Sequence, residues 1–142
     1  MSVKGYLKAC RDEQKELIIL QEKSEWLRAS LIPGAQKLRE VIVQTSTGGD
    51  KMGDTVADIV ELDKKIQAQM VRIAQRQSAA IDIISHMPES LHRQVLTLYY
   101  LPNGRPLTIK EVADKIGYSP ARARKIRDKA LDEAELFGEK KE

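Results

Sequence analysis

The chain has 142 residues and a formal net charge of +3, with 42% hydrophobic, 4% aromatic and 32% charged residues. This length allows one domain, or a small domain with a helical appendage. So few aromatic residues among so many charges favour long amphipathic helices over a compact mixed core. A single cysteine, Cys10, excludes an internal disulfide and is expected to be a small buried hydrophobe in a reducing compartment.

The sequence contains no apolar run that suits a signal peptide or a membrane span. The longest run, residues 17–20, is far too short for either. We therefore expect a cytoplasmic protein without a membrane partner. His86 and His92 lack cysteine or clustered acidic partners at ligand spacing, so neither a metal nor another cofactor is expected. His86 is predicted to end one helix and His92 to lie on the surface of the next.

The first half of the chain predicts two long helices separated by a loop. Residues 4–43 carry apolar side chains at mostly helical spacing, and Pro33 should end or kink this helix. Residues 44–54 contain three glycines with Ser and Thr, and they predict a mobile loop. Trp26 is the only tryptophan, and it is either a buried residue of the helical region or an anchor for a partner.

The second long helix is predicted from Thr55, with an apolar seam at the 3-4 spacing of a coiled coil. Asp63 and Gln77 interrupt this seam. A helix with one apolar stripe cannot bury it alone, so we expect it to pair with the first helix as an antiparallel hairpin, or with another copy as a homodimer. The seam consists of Val56, Ile59, Ile66, Met70, Ile73, Ala80 and Ile84.

Residues 107–131 predict two short helices around a three-residue turn, which is the form of a helix-turn-helix. Thr108 and Glu111 have the spacing of a capping box, in which each satisfies a backbone N–H group of the other. Leu107 and Val112 occupy the positions of the hydrophobic staple outside this box. These signals place the start of the first helix of the motif.

The second helix of the motif is expected to follow Gly117, which suits the left-handed end of the first. Its start is predicted from Ser119 as cap and Pro120 at the first helical position. At 100° per residue, three apolar side chains should pack inward, namely Ala123, Ile126 and Ala130. The same helix carries five of the basic residues in the motif.

Positive charge is concentrated on this motif. Residues 105–131 contain eight bases and three acids, so the rest of the chain is net negative. Clustered Lys and Arg suit the neutralisation of phosphates with release of counterions. We predict that the DNA-binding residues are Ser119, Arg122, Arg124, Lys125, Arg127 and Lys129.

The C-terminal part of the chain, about a third of it, resembles region 4 of sigma-70-type factors, the domain that reads the promoter −35 element. Residues 84–88 parallel the family's L-x-x-L-P step, and residues 95–100 parallel its V-L-x-L-R-Y pattern. Residues 107–113 are similar to its L-T-L-x-E-I-A helix start. Residues 122–131 follow its R-V-R-Q-I-R-E-R-A-L recognition helix.

The recognition helix departs from this family at the base-reading positions. Pro120 and Ala121 stand where the family commonly has Arg-Glu, and Lys125 stands where it often has Gln. The resemblance therefore implies that the phosphate-positioning charges are kept while the base readers are changed. We expect a target that differs from an ordinary −35 element, or DNA binding that a partner supports.

The whole chain resembles small phage and prophage sigma-like proteins related to the ArpU and RinA late-gene regulators. The matching pieces are residues 6–8, the glycine-rich break at 47–54 and residues 56–62, followed by the sigma-like end. The resemblance implies a regulator of phage transcription in the host bacterial cytoplasm. Its implied partners are double-stranded DNA and bacterial RNA polymerase.

These observations predict an all-α protein. Residues 1–86 are expected to form the long antiparallel hairpin, an interaction or oligomerisation region, followed by the helix-turn-helix at 87–135 and a charged tail at 136–142. No catalytic residues are expected, because the hairpin offers no nucleophile beside an oriented base, which also argues against a serine recombinase. The alternative function is DNA packaging by an oligomer similar to terminase small subunits.

Overall fold

The structure is a computed structural model that describes residues 2–31 and 51–141. Within these residues it has five helices and no strand, so the predicted all-α class is confirmed. The helices are α1 (Val3–Ala29), α2 (Lys51–Ser85), α3 (Ser90–Tyr100), α4 (Ile109–Ile116) and α5 (Pro120–Lys141). The predicted break at Pro33 and most of the predicted glycine-rich loop lie outside the described residues. None of the described helices is long and apolar enough to cross a membrane.

Helix α2 begins earlier than the sequence predicts. The predicted loop extended to Asp54, whereas the helix starts at Lys51 and contains Gly53. A single glycine in a helix costs only about 1 kcal/mol relative to alanine, which favourable neighbours can offset. Asp54 lies in the first turn, where a carboxylate interacts favourably with the helix dipole. Because the sequence prediction assigns the glycines to a loop, it places the start of α2 four residues too late.

The chain divides into two compact units, and both long helices run through both of them. The first unit comprises residues 1–16 and 72–142, and the second comprises residues 17–71. The start of α1 therefore belongs to the same unit as the helix-turn-helix. The division into functional regions at residue 86 stays a prediction.

The main core of the first unit combines residues that are far apart in the sequence. Leu7 and Cys10 of α1 are almost completely buried in it. The other buried members come from α2, α3, α5 and the adjoining loops: Ala80, Ile84, Met87, Leu96, Tyr100, Leu101, Ala130 and Ala134. Because burial of apolar area is the main stabilising contribution to folding, α1 is an integral part of this unit.

A second cluster forms the core of the helix-turn-helix itself. Val95, Val112 and Ile126 meet in it, one each from α3, α4 and α5. Partly buried side chains cover this cluster: Leu91, Leu98, Tyr99, Leu107, Ile116. Three helices therefore share one small core, and this core fixes α5 against α4.

Side chains from the two long helices hold the loop between α3 and α4. Gln14 donates its side-chain N–H to the Gly104 carbonyl at 3.0 Å, and Gln77 donates to the Pro102 carbonyl at 3.3 Å. Gln77 is the residue that interrupts the apolar seam in the sequence. Its interruption has a structural reason, because the partly buried amide donates a hydrogen bond to a loop carbonyl.

Helix α5 is longer than the sequence predicts and packs on the start of α1. The predicted charged tail from residue 136 is instead helical as far as Lys141. The Lys4 backbone N–H donates to Glu135 Oε2 at 3.0 Å, and Lys4 Nζ lies 2.6 Å from Asp132 Oδ1. Phe137 packs against the main core. These contacts continue the helix beyond the segment that the helix-turn-helix pattern covers.

The described part of the second unit contains one segment of each long helix. Ser24, 6% exposed, donates its hydroxyl to Asp63 Oδ1 at 2.9 Å, and Arg28 forms an ion pair with the same carboxylate. Asp63 is the other predicted interruption of the seam. A single polar contact in an apolar seam favours one register of the two helices, because other registers leave the carboxylate without partners.

The predicted seam of α2 is correct at five of its seven positions. Ile59, Ile66, Ile73, Ala80 and Ile84 are buried. The prediction is wrong for Val56 and Met70, because their side chains are 45% and 41% exposed. Trp26 is 48% exposed, with the Lys23 Nζ 4.6 Å from its ring centroid, so it is not buried in the helix pair.

We expect Leu7→Ala to lower the free energy of unfolding by about 2–5 kcal/mol, the usual cost of a buried Leu→Ala change. Its matched control is Ile19→Ala on the same helix, since Ile19 is 64% exposed. The control should change the unfolding free energy by no more than about 0.5 kcal/mol. Urea titration followed by circular dichroism measures both. Equal losses in the two variants would show that the start of α1 is not part of the core.

Burial raises the pKa of the Cys10 thiol to about 11, from an ordinary 9.0. The folded protein therefore holds the thiol proton more tightly than the unfolded chain does. This contribution to stability is present below pH 9 and is lost as the pH rises towards 11. We expect the wild type to lose more unfolding free energy than Cys10→Ala between pH 8 and pH ~10.5. Parallel losses in the two proteins would contradict a buried neutral thiol.

Candidate nucleic-acid interface

The start of α4 is fixed by the predicted capping box. The Glu111 backbone N–H donates to the Thr108 hydroxyl at 3.2 Å, and the Thr108 N–H donates to Glu111 Oε1 at 3.2 Å. Arg105 Nη2 lies 2.7 Å from Glu111 Oε2. This hydrogen bond from Arg105, followed by that from the Thr108 backbone, lowers the pKa of Glu111 from its ordinary value. The Glu111 carboxylate of the box therefore stays charged to a lower pH than an ordinary glutamate does.

The turn between α4 and α5 has the geometry that the sequence predicts. Gly117 has φ +78°, a left-handed conformation that glycine adopts without steric cost. The N–H groups of Gly117 and Tyr118 donate to the Ala113 carbonyl at 2.9 and 3.0 Å. Helix α5 then begins at Pro120, and the Ser119 hydroxyl accepts the Arg122 N–H at 3.1 Å. Local signals thus determine both helix ends.

The inward face of α5 is confirmed. Ala123 and Ala130 are completely buried and Ile126 is 6% exposed. Ile126 packs in the helix-turn-helix core, and Ala130 packs in the main core. The orientation of α5 about its own axis is therefore fixed by apolar packing, and this packing decides which of its charged residues face outward.

Four of the predicted DNA-binding cations lie on the outer side of α5: Arg122, Arg124, Lys125 and Lys129. All four are exposed, and none forms an ion pair with any other residue in the described ranges 2–31 and 51–141. Arg122, Lys125 and Lys129 line one cleft between α3 and α5. Glu89 lines the same cleft, so three basic side chains there face one acidic side chain and positive charge predominates.

Arg127 is placed differently from the other predicted cations. Its side chain is only 22% exposed, and Nε lies 3.3 Å from Asp128 Oδ1. Its guanidinium carbon is 5.0 Å from the ring centroid of Tyr99, and the guanidinium carbon of Arg11 is 3.9 Å from the same centroid. The charge of Arg127 is therefore engaged within the fold. Contacts between a cation and an aromatic face of this kind contribute about 0.5–2 kcal/mol.

His92 lies in the interior and not on the surface, so its predicted position is wrong. It is 9% exposed, with Nδ1 2.7 Å from Glu133 Oε2 and Nε2 3.0 Å from Glu89 Oε2. Helical spacing on α3 alone could not reveal this, because the contact with Glu133 joins residues 41 positions apart. His86 follows the end of α2, as predicted. The His92 contacts tie α3 to α5 beside the cation-lined cleft.

The family model described as Sigma-70, region 4 matches residues 84–133. No curated protein and no solved structure matches the chain. The matched range begins at the end of α2, includes α3 and α4, and ends within α5. The C-terminal part of the chain is therefore a helix-turn-helix domain of the sigma-70 region 4 type, a DNA-binding class of domain.

We expect Thr108→Ala to lower the free energy of unfolding by about 1 kcal/mol, because α4 loses its cap. Thr97→Ala is the matched control, since the Thr97 hydroxyl donates to the Arg93 carbonyl within the exposed part of α3 and caps no helix. The control should be close to neutral, given the higher helix propensity of alanine. Thermal and urea unfolding measure both. A control loss as large as that of Thr108→Ala would argue against a stabilising cap.

Proposed function

We propose that this protein binds double-stranded DNA as a regulator of phage transcription and acts beside host RNA polymerase. The match to sigma-70 region 4 supports the DNA-binding role, and the resemblance of the whole chain to phage sigma-like regulators supports the biological setting. The proposed activity is DNA binding, and the proposal includes no catalytic step.

The observation that carries this proposal is the row of exposed cations on α5. Arg122, Arg124, Lys125 and Lys129 have no acidic partner among the described residues, and the row belongs to a helix that apolar packing holds in one orientation. Phosphates of the DNA backbone would supply the missing negative charge. Arg127 contributes by holding α5 against Tyr99, while Ser119 caps the helix and directs its start towards the DNA.

We place the partner surface of this regulator on the described part of the second unit, residues 17–31 and 51–71. Large apolar side chains are exposed there, and exposed apolar surface is a common feature of protein–protein contact sites. These side chains are Ile19, Trp26, Val56, Val60, Met70 and Val71. Polymerase or a second copy of the chain would cover part of this surface.

Removal of charge from the α5 row should weaken DNA binding and lower its salt dependence. For Arg124→Ala with Lys125→Ala, the slope of log affinity against log salt should fall by about 0.9 for each lost phosphate contact. Lys65→Ala is the matched control, because Lys65 is exposed on α2 outside the matched range. Fluorescence anisotropy with genomic phage fragments, from low to high salt, measures these slopes.

No affinity of the wild type for any DNA at low salt would overturn the proposed function. Equal slopes in the double variant and in Lys65→Ala would show that DNA does not contact the α5 row. Light scattering of the free protein adds an independent test, because a monomer or dimer suits a regulator. A ring of eight or more subunits would favour DNA packaging instead.

A further inference from the structure

The first turn of α5 exposes an apolar surface at the position where a recognition helix meets the bases. Pro120 and Ala121 are exposed, and Tyr118, just before the helix, is 44% exposed. Pro120 and Ala121 have no polar group in their side chains. The Ser119 hydroxyl accepts the Arg122 N–H at 3.1 Å, and this cap turns it towards the end of the helix. The start of the helix therefore offers no side-chain hydrogen bond at Pro120 and Ala121, which lie between the hydroxyls of Tyr118 and Ser119 and the guanidinium of Arg122.

The major groove offers one apolar group to such a surface. Guanine, cytosine and adenine present only donors and acceptors on this edge, whereas thymine also presents its 5-methyl group. An apolar turn placed against a G·C edge would remove water from donors and acceptors without replacing their hydrogen bonds, which is costly. Against thymine, the same turn would bury apolar area of the protein and of the thymine methyl group.

We propose that Ala121, with Tyr118 beside it, recognises the 5-methyl group of a thymine in the target site. The inference rests on the proposed function, because it assigns a base preference to the same DNA-binding helix. Arg122 follows Ala121 in the same turn, Arg124 and Lys125 follow in the next turn, and these three side chains supply the phosphate contacts that position the helix. The apolar side chain of Ala121 supplies the preference for thymine at the base pair that it contacts.

The turn geometry keeps this apolar surface in place. The backbone of Tyr118 is fixed by the hydrogen bond from its N–H to the Ala113 carbonyl at 3.0 Å, and Gly117 adopts a left-handed backbone conformation. Val112 and Ile126 then join α4 to α5 through the shared core. A recognition surface on a preorganised scaffold loses little conformational entropy on binding, so one methyl contact is enough to give a measurable preference.

The experiment begins with sites selected by the purified protein from phage genomic fragments. Each thymine of a selected site is replaced in turn by deoxyuridine, which pairs identically but lacks the methyl group. At one or two positions we expect about fourfold weaker binding, the effect of burying one methyl group. Substitutions at the remaining thymines should leave the affinity unchanged.

The variant Ala121→Gly tests whether Ala121 is the residue that recognises the thymine methyl group. It removes the methyl group of the side chain, so the ratio of thymine to deoxyuridine affinity should fall towards one at the sensitive position. Ala79→Gly is the matched control, because Ala79 is an exposed alanine on α2 and its replacement carries a similar cost in helix propensity. Its ratio should equal that of the wild type.

The outcomes separate this inference from the proposed function. If the protein binds DNA with a steep salt slope but no deoxyuridine substitution weakens binding, methyl recognition is wrong and DNA binding stands. If the ratio persists in Ala121→Gly, another residue makes the contact and the assignment to Ala121 is wrong. If the protein binds no DNA at low salt, the proposed function fails and the inference fails with it.

Discussion

The burial of the inner face of α5 is the constraint on which the rest of this structure depends. Ile126 lies in the core of the helix-turn-helix, while Ala130 and Ala134 lie in the main core with residues of α1 and α2. One helix therefore joins both clusters. Because its inner side is fixed by apolar packing, its outer side is fixed as well, and the exposed cations acquire a defined direction.

The N-terminal helix stabilises the DNA-binding part of the molecule by more than apolar burial. Arg11 donates to the Tyr99 carbonyl at 2.7 Å and lies against the ring of the same residue, and Gln14 holds the loop before α4. These contacts satisfy carbonyl groups at the end of α3 and beyond it. They connect residues about 90 positions apart, and they join Arg11 and Gln14, which lie outside the range that matches the family, to residues inside it. The compact unit around the helix-turn-helix is consequently larger than the sequence motif.

The basic residues of α5 lie in two different environments that its sequence does not distinguish. Arg127 lies against Tyr99 and beside Asp128, so its charge supports the fold, whereas Arg124 and Lys125 are exposed and unpaired within the described residues. The difference comes from which side of the helix faces the core. Under the proposed function, the outward cations are the side chains available to DNA phosphates, and Pro120 and Ala121 are available to the bases by apolar contact.

Features that depend on local physical chemistry could be predicted from the sequence. Three such features are the capping box of Thr108, the left-handed Gly117 and the inward face of α5. Each involves residues within a few positions of one another, so a short sequence pattern is enough to predict it. Tertiary structure alone decided the burial of His92, the engagement of Arg127, the place of α1 in the core and the length of α5. Each of these depends on contacts between segments that are distant in the sequence. The free energy of this packing outweighs local conformational propensity, and no short sequence motif reveals which distant segments will meet.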